Sequence, residues 1–277
     1  LSLIHLLTSI RPSDHAFLGV YEPAGDSGKC IGQIIQSQSM GSARLNYLLQ
    51  TEENEPQDLV PLLEGLIKEA GHWGAKQVTA DLPADDEFLP QFRQAGFSVL
   101  AKQRIYRVSS LGKHEDYLES HWQRWNHDDI PAIKSLYFTL VPPLVQPVEP
   151  LTRRECLGLV YYGEKGDLQA YADLVYGPVG VWVLPQIHPQ STVDISDLLA
   201  QLVLDLPDLN GRSVHFATRS YQPWVEQALV DLSAEPGPEQ ALLVRYMALR
   251  QRVKVEFRFA SLENGKPEPT IPLAPIK

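Results

Sequence analysis

The sequence predicts an α/β (α+β) fold of two tandem domains, each a mixed, mostly antiparallel sheet flanked by helices. Two observations lead to this prediction. First, the order hairpin, helix, strand, short helix, strand occurs once in each half of the chain. Second, the chain has 277 residues, of which 44% are hydrophobic and 21% charged, and this suffices for two domains of ordinary globular composition.

The first half begins with a predicted antiparallel meander of strands. Its apolar and aromatic runs lie at Ala16–Glu22, Cys30–Ser37 and Ala43–Gln50. From Leu59 to Ala70 the apolar residues fall at helical spacing, and Gly71 ends this helix. A strand, a short helix and a long strand complete the half, at residues 77–82, 85–95 and 98–108.

The second half has the same order of predicted elements. After a strand at Trp122–Trp125, Asp128 or Asp129 caps a helix that runs to Leu140. A further helix is indicated at Arg153–Tyr161. The remaining strands and helices are predicted at Leu168–Tyr176, Val179–Ile187, Ile195–Leu206, Arg212–Thr218, Pro223–Leu232 and Ala241–Arg250.

The composition divides the chain into two domains, 1–110 and 121–253, which a polar linker at 111–120 joins. The tail 254–277 contains four prolines, which interrupt regular structure, so we expect an extended arm there. The apolar segment Leu1–Ile10 is too short for a membrane span and is expected to be part of a helix that packs on a sheet.

Charge and cysteine content exclude several classes of protein. The net charge of −10 would repel a phosphate backbone, which argues against a nucleic-acid partner. No stretch has the length of a membrane span. The two cysteines, Cys30 and Cys156, fall in different halves and predict reduced thiols in a cytoplasmic protein. Because no cysteine and histidine cluster has ligand spacing, no metal site is predicted.

Three phrases of the sequence carry a resemblance to a known family. Gln91–Phe97 is similar to that family's last-helix ending, Ile187–Pro189 to the end of the strand before its cofactor loop, and His127–Pro142 to its first strand and helix. Together with the order of elements, these phrases make the chain resemble the GNAT (Gcn5-related N-acetyltransferase) family over residues 14–110 and 119–250. Tandem two-domain members are known in that family.

The resemblance implies that acetyl-CoA binds at a glycine-containing loop before the central helix, where backbone N–H groups and the helix start hold the pyrophosphate. In the first half this place is Thr51–Asp58, which has four carboxylates and neither glycine nor a basic residue. Because these carboxylates repel a diphosphate, we predict that this half does not bind CoA in the family manner. They would stabilise the helix start instead.

In the second half the corresponding loop is His188–Asp194, which also has no glycine. The resemblance makes the following residues candidate cofactor contacts: Leu184, Ile187, Gln190, Ser191, Thr192, Val193 and Asp194. Two alternatives stay open. Ser191 or Thr192 would simply cap the helix, and Pro185 marks either a bulged strand that exposes its backbone to pantetheine or an edge strand that blocks aggregation.

Acyl transfer also needs a general acid for the leaving thiolate and a general base for the amine. The position of the family's acidic tyrosine is Phe92 in the first half, and in the second half the candidate acid is Tyr221, displaced by about two turns. His215 is the candidate base, with His188 and Glu149 as further candidates. Alternatively, Tyr221 is a half-buried aromatic residue and His215 a structural strand histidine.

Three functions therefore remain open. The first is an acyl-CoA-dependent N-acyltransferase, with its site in the second half and the amine of a small molecule or protein as acceptor. The second is a GNAT-fold scaffold without catalysis, which binds a protein partner or a second copy. The third is a ligand-binding module that keeps the cleft without the CoA loop. A cleft filled by Trp182 or Trp224 would favour the scaffold, and unpaired N–H groups at Ser191–Asp194 the enzyme.

Overall fold

A computed structural model of the chain describes residues 15–22, 28–36, 41–50, 58–109, 121–151, 157–209 and 211–247. Several predicted features lie outside these residues, namely the helix at Leu1–Ile10, the loop Thr51–Gln57, the linker 111–120, Cys156 and the tail 254–277.

The described residues form strands and helices in the predicted order. The strands are β1 (His15–Tyr21), β2 (Cys30–Gln36), β3 (Ser42–Gln50), β4 (Gln77–Pro83), β5 (Ser98–Val108), β6 (Gln123–Arg124), β7 (Leu157–Tyr162), β8 (Leu168–Tyr176), β9 (Gly180–Ile187), β10 (Ser213–Arg219) and β11 (Glu235–Tyr246). The helices are α1 (Val60–His72), α2 (Leu89–Gln94), α3 (Ile130–Leu140), α4 (Ile195–Asp205) and α5 (Pro223–Asp231), and a short 3-10 helix at His127–Asp129 precedes α3.

All these strands belong to one sheet of 11 strands, in the order β1-β2-β3-β4-β11-β5-β10-β9-β8-β7-β6. β11 lies between β4 and β5 and is antiparallel to both. β5 in turn lies between β11 and β10. Each half therefore completes its part of the sheet with a strand from the other half. The paired strands β5 and β11 join the two halves in the middle of the sheet.

The two faces of the sheet are covered differently. Helices α1 and α2 pack on one face over the first half, and α4 and α5 pack over the second. These helices lie on the same face. Ala241, which packs under α1, is paired with Lys102 on β5. Lys102 and Tyr106 lie on the same face of β5, and Tyr106 packs under α5. α3 and the segment 141–151 lie on the opposite face. Gly32 lets α1 approach closely, since a Cβ there would lie 2.8 Å from Leu66.

Three details differ from the sequence prediction. The helix at Arg153–Tyr161 was wrong for its described part, because Leu157–Tyr162 is strand β7, paired with β6 and β8. Asp129 is the N-cap residue of α3, as predicted, but its side chain makes no cap hydrogen bond to that helix. The capping contact belongs to Asn126, before the 3-10 helix: its side chain accepts from the N–H of Asp128, while Asp129 accepts from the Asn126 N–H in return. The last strand begins at Glu235, six residues before the predicted start at Ala241.

Candidate functional site

β9 and β10 separate halfway along their length. They pair in parallel as far as Val183 and Phe216. Beyond this point β9 continues to Ile187 and pairs with β8, while β10 continues to Arg219 and pairs with β5. The result is a V-shaped opening in the sheet. The backbone N–H and C=O groups of the last residues of β9 border this opening.

Two side chains at the start of α5 fill this opening. Gln222, which is 2% exposed, accepts a hydrogen bond from the Ile187 N–H at 3.3 Å and donates to the Pro185 carbonyl at 3.3 Å. The indole N–H of Trp224 donates to the Ile187 carbonyl at 3.0 Å. Because its ring packs against the apolar clusters on both faces of the sheet, Trp224 passes through the opening. The chain's own side chains thus bind the backbone groups that border it.

The start of α4 already holds a negative group. Asp194 is the N-cap residue, and its carboxylate accepts from the N–H groups of Ser196 at 2.8 Å and Asp197 at 3.4 Å. The expectation that Ser191 or Thr192 caps this helix was wrong, because both lie too early in the loop. A carboxylate therefore stands where the positive helix start would otherwise attract a phosphate.

The N–H groups of residues 190–193, in the loop before α4, are also bonded within the protein. Their donor–acceptor distances lie between 3.0 and 3.3 Å. The acceptors are, in chain order, His188 Nδ1, the His188 carbonyl, Gln169 Oε1 and Ser191 Oγ. The loop thus satisfies its own donors, as buried and half-buried backbone groups generally are.

The structure gathers the candidate cofactor contacts at one end of the second half. Leu184 opposes Asp173 on β8, and the fully buried Ile187 opposes Ala170. The five loop residues Gln190 to Asp194 follow directly and lead into α4. These residues are therefore neighbours in space, but their backbone groups at Ile187 and at 190–193 already have partners.

The candidate acid and base lie in different parts of the second half. Tyr221 follows β10, and its hydroxyl donates to Glu149 Oε2 at 3.5 Å. Burial, and next the Glu149 carboxylate, raise the pKa of Tyr221, so its hydroxyl stays protonated at neutral pH. His215 lies in the paired part of β10, where its Nε2 is 2.8 Å from Ser213 Oγ. The structure therefore joins Tyr221 with Glu149 and places His215 with Ser213.

Glu149 forms a buried ion pair with Arg219. Arg219 Nε lies 3.1 Å from each carboxylate oxygen of Glu149, and Nη2 lies 2.5 Å from Oε1. Burial, the largest single cause, lowers the pKa of Arg219, but Glu149, Tyr221 and Asp81 together raise it by more, and the pKa ends above its ordinary value. Because both carboxylate oxygens of Glu149 already accept hydrogen bonds from this guanidinium, the geometry does not favour Glu149 as the base for an amine.

In the first half other groups occupy the start of the central helix. The N–H of Leu59, just before α1, donates to Gln91 Oε1 at 2.6 Å, and that of Val60 donates to the Asp58 carboxylate at 3.0 Å. Pro61 has no N–H to offer. None of residues 59–61 therefore keeps an N–H group for a phosphate.

The two halves also differ in the strand before this helix. β9 pairs with β8 without a register shift, so Pro185 lies at a local sheet edge rather than in a bulge. β3, the corresponding strand of the first half, shifts register against β2 between Gln33 and Ile34. It pairs with β4 only from Ser42 to Arg44. The irregular strand that the resemblance implies for the second half therefore occurs in the first.

Sequence reasoning missed Gln222 and Gln91, the glutamines that occupy these positions. Each lies at the last helix of its half, beside a proline at the helix start: Gln222 precedes Pro223 and Gln91 follows Pro90. This shared Gln and Pro pairing is the one signal in the sequence that could have pointed to them. Of the two tryptophans that a scaffold would use to fill the cleft, Trp224 lies at the opening, whereas Trp182 lies in the paired part of β9.

Comparison with known proteins supports the fold. No family model and none of the curated proteins matches the sequence. A functionally unknown conserved protein from Staphylococcus epidermidis is similar in structure, with a TM-score of 0.57 and 10% identity over 82% of this chain and 94% of that one. A tandem GNAT protein from the clavulanic acid biosynthesis pathway is similar with a TM-score of 0.50 and 14% identity, over 87% of this chain and 85% of that one. The chain therefore has the tandem GNAT fold.

Within the described residues, no helix has the length and apolar character that a membrane crossing requires. The same residues contain no group of three or more histidine, cysteine, aspartate or glutamate side chains arranged to hold a metal ion.

Proposed function

We propose that this protein, which has the tandem GNAT fold, is not an enzyme and acts by binding instead of by acyl transfer. The observation that carries the proposal is the filled opening between β9 and β10. Gln222 and Trp224 together take the N–H and C=O of Ile187 and the C=O of Pro185. Pantetheine would have to displace both side chains to pair with this strand, and each displaced buried group would lose its hydrogen bond.

The fit of acetyl-CoA is also poor at its diphosphate end. In the second half the Asp194 carboxylate occupies the helix start, and in the first half Asp58 and Gln91 do so. A diphosphate beside a carboxylate meets like charge, and the overall charge of −10 adds to the repulsion. Both ends of the cofactor therefore meet groups that oppose its binding.

Acyl transfer by the second half is the second candidate function, and two observations favour it. The strands β9 and β10 separate, as a pantetheine site requires. The raised pKa of Tyr221 keeps a proton on a hydroxyl near this opening, which suits a general acid. In this alternative acetyl-CoA is the acyl donor, the acceptor is the amine of a small molecule or protein, and Tyr221 protonates the leaving thiolate.

Calorimetric titration with acetyl-CoA separates the two candidates. We expect no binding heat for the wild-type protein at acetyl-CoA concentrations up to about 1 mM. This concentration is on the order of the highest KM values that are typical of enzymes. The double variant Gln222→Ala/Trp224→Ala, which opens the cleft, should gain weak binding. Trp182→Ala removes a tryptophan from the paired part of β9 and is the matched control, for which no gain is expected.

A micromolar Kd for acetyl-CoA with the wild type, together with release of free thiol when amines are added, would establish the enzyme instead. In that case Tyr221→Phe should lower the turnover rate without a matching loss of acetyl-CoA affinity. The cytoplasmic location that the cysteines suggest is a further part of the proposal, and the buried thiol of Cys30 agrees with it.

A further inference from the structure

The two edges of the sheet are built differently. β6, at one edge, has only two residues, and one of them is Arg124. A short strand with a charged side chain is a usual way to keep a sheet edge from pairing with another chain. β1, at the other edge, has seven residues, from His15 to Tyr21, with neither proline nor a Lys, Arg, Asp or Glu side chain. The edge at β1 therefore has none of these protections.

β1 is also regular and exposed. It pairs with β2 at every residue from His15 to Tyr21 without a register shift, so no bulge twists this edge away. Its other side has no strand partner among the described residues. The apolar side chains of Phe17, Leu18 and Val20 are 39%, 52% and 55% exposed. A regular, apolar edge of this kind presents a row of backbone N–H and C=O groups to a strand that lies beside it.

The residues of β1 match one another in an antiparallel pair of two copies. When the pair is centred on Leu18, the two Leu18 side chains lie opposite each other, and each Ala16 lies opposite a Val20. These are apolar pairs, and cross-strand pairs of this kind stabilise antiparallel sheets. Because β1 contains no Asp, Glu, Lys or Arg, no like charges from these residue types meet across the axis.

Gly19 favours this register on the face that α1 covers. Its missing side chain makes room for Leu62 of α1, since a Cβ at Gly19 would lie 3.0 Å from that side chain. With the pair centred on Leu18, Phe17 of one copy lies opposite Gly19 of the other. An aromatic ring opposite a glycine covers the backbone that the glycine leaves bare, which stabilises the pairing. A pair centred on Gly19 would instead place the two glycines opposite each other and lose this contact.

We propose that two copies of this chain pair through β1 about a two-fold axis at Leu18, so that one continuous sheet crosses both copies. Such a contact uses the same surface on each copy and closes after two, which satisfies the edge without forming a filament. The inference goes beyond the proposed function, since it involves no residue of the opening between β9 and β10. The contact is one strand wide and therefore smaller than a standard interface of about 800 Å² a side, so we expect a dissociation constant in the micromolar range.

Disulfide trapping of cysteine variants of the full chain tests the register. Leu18→Cys places two cysteines directly across the axis, with their Cα atoms about 4.5–5.5 Å apart, which a disulfide can span. Val20→Cys, at a similarly exposed position of the same face, places its two cysteines about 14 Å apart, because Val20 lies opposite Ala16. We expect mild oxidation to link most of the Leu18→Cys protein and at least about tenfold less of the Val20→Cys protein. The wild type, oxidised in parallel, measures any link through the native cysteines.

A mixture of two variants sharpens this test. Ala16→Cys and Val20→Cys proteins, one of them carrying a tag of different mass, should link to each other more than either links to itself. Neither nonspecific aggregation nor a damaged fold can produce this preference.

Analytical ultracentrifugation measures the association itself. The wild type should show a monomer–dimer equilibrium between about 1 and 200 μM, and Leu18→Lys, which puts two like charges across the axis, should raise the dissociation constant at least about tenfold. Phe138→Lys changes an exposed apolar residue of α3 and should leave the equilibrium unchanged. A monomer at all these concentrations, equal linking of Leu18→Cys and Val20→Cys, or equal disruption by Phe138→Lys and Leu18→Lys would each overturn the inference. The acetyl-CoA titration is independent, so either proposal can fail alone.

Discussion

In the second half two side chains from the last helix, Gln222 and Trp224, fill a gap in the sheet, whereas in the first half one side chain from the last helix, Gln91, caps the start of the central helix. The last helices of the two halves thus make different contacts with the rest of the chain. The shared fold requires only that backbone groups there find partners. It does not fix which partner they have, and this freedom lets different side chains complete the same fold in the two halves.

The largest expected effect comes from separating the halves. A protease site inserted between residues 110 and 120 should give two fragments that stay together in gel filtration, because β11 is paired with both β4 and β5. Either fragment expressed alone should lack a cooperative denaturant transition. A cooperative transition from one isolated half would show that the exchange of strands is dispensable.

Opening the gap in the second half should cost about 3 kcal/mol of unfolding free energy in Trp224→Ala, since a large ring is lost from between two apolar clusters. Trp224→Phe keeps a ring but leaves the Ile187 carbonyl without its donor, and about 1 kcal/mol is expected. Urea denaturation measures both. Equal losses in the two variants would mean that the hydrogen bond, and not the ring, holds this part of the sheet.

Removing the cap at the start of the central helix should destabilise the two halves by similar amounts, and by less than the loss of the Trp224 ring. Asp194→Ala removes the N-cap of α4, and Gln91→Ala removes the acceptor of the Leu59 N–H before α1. We expect about 1 kcal/mol of lost stability from each, the usual contribution of a helix cap. The same urea series measures them, with Asp231→Ala on the outside of α5 as a control. If Gln91→Ala has no effect, the comparison between the halves fails.

Much of the architecture could be predicted from the sequence, because hydrophobic periodicity and turn residues are local signals. The order of elements and the fold agree with the structure. The place of β11 could not be predicted, since strand pairing is a long-range choice between nearly equivalent edges. Its first residues, Glu235 to Glu239, contain two prolines and a glycine and resemble a loop. They form a strand because Pro236 pairs with β5, whereas β11 pairs with β4 only from Gln240 onward. The missing N–H of Pro236 therefore breaks no hydrogen bond to β4.

For the site, the sequence offered the loop before α4 as a candidate and Trp182 or Trp224 as a side chain that would fill the cleft of a scaffold, but it did not indicate the role of Gln222. A glutamine at a helix start has no distinctive pattern, and its value here comes from its position beside Ile187 and Pro185. The same holds for Arg219, whose partner Glu149 is 70 residues away in the chain. Contacts of this kind depend on packing that only the folded chain defines.

A last expected effect, confined to alkaline pH, is a loss of stability in the second half. Burial raises the pKa of Tyr137 to about 12, with a smaller contribution from Glu149, and burial together with the hydrogen bond to Asp129 raises that of Tyr162 to about 12. The unfolded value is about 10, so the folded chain holds these protons more tightly. The stability they contribute is complete below pH of about 10 and is lost as the pH rises to about 12.

Denaturation curves across this pH range, compared with those of Tyr162→Phe, measure the alkaline effect. The variant should lose less stability on going from about pH 10 to about pH 12, because the Tyr162 proton no longer contributes. An unchanged pH dependence would contradict the assignment to Tyr162.

The most direct test of a closed second half is the hydrogen exchange of the Trp224 indole N–H and the Ile187 amide, followed by nuclear magnetic resonance with and without acetyl-CoA. Trp224→Phe assigns the indole signal. We predict that both protons exchange as slowly as amides inside the sheet, and that acetyl-CoA alters neither signal. Fast exchange in the unliganded protein, or displacement of the indole signal when acetyl-CoA is added, would show that the cleft opens and would contradict the account.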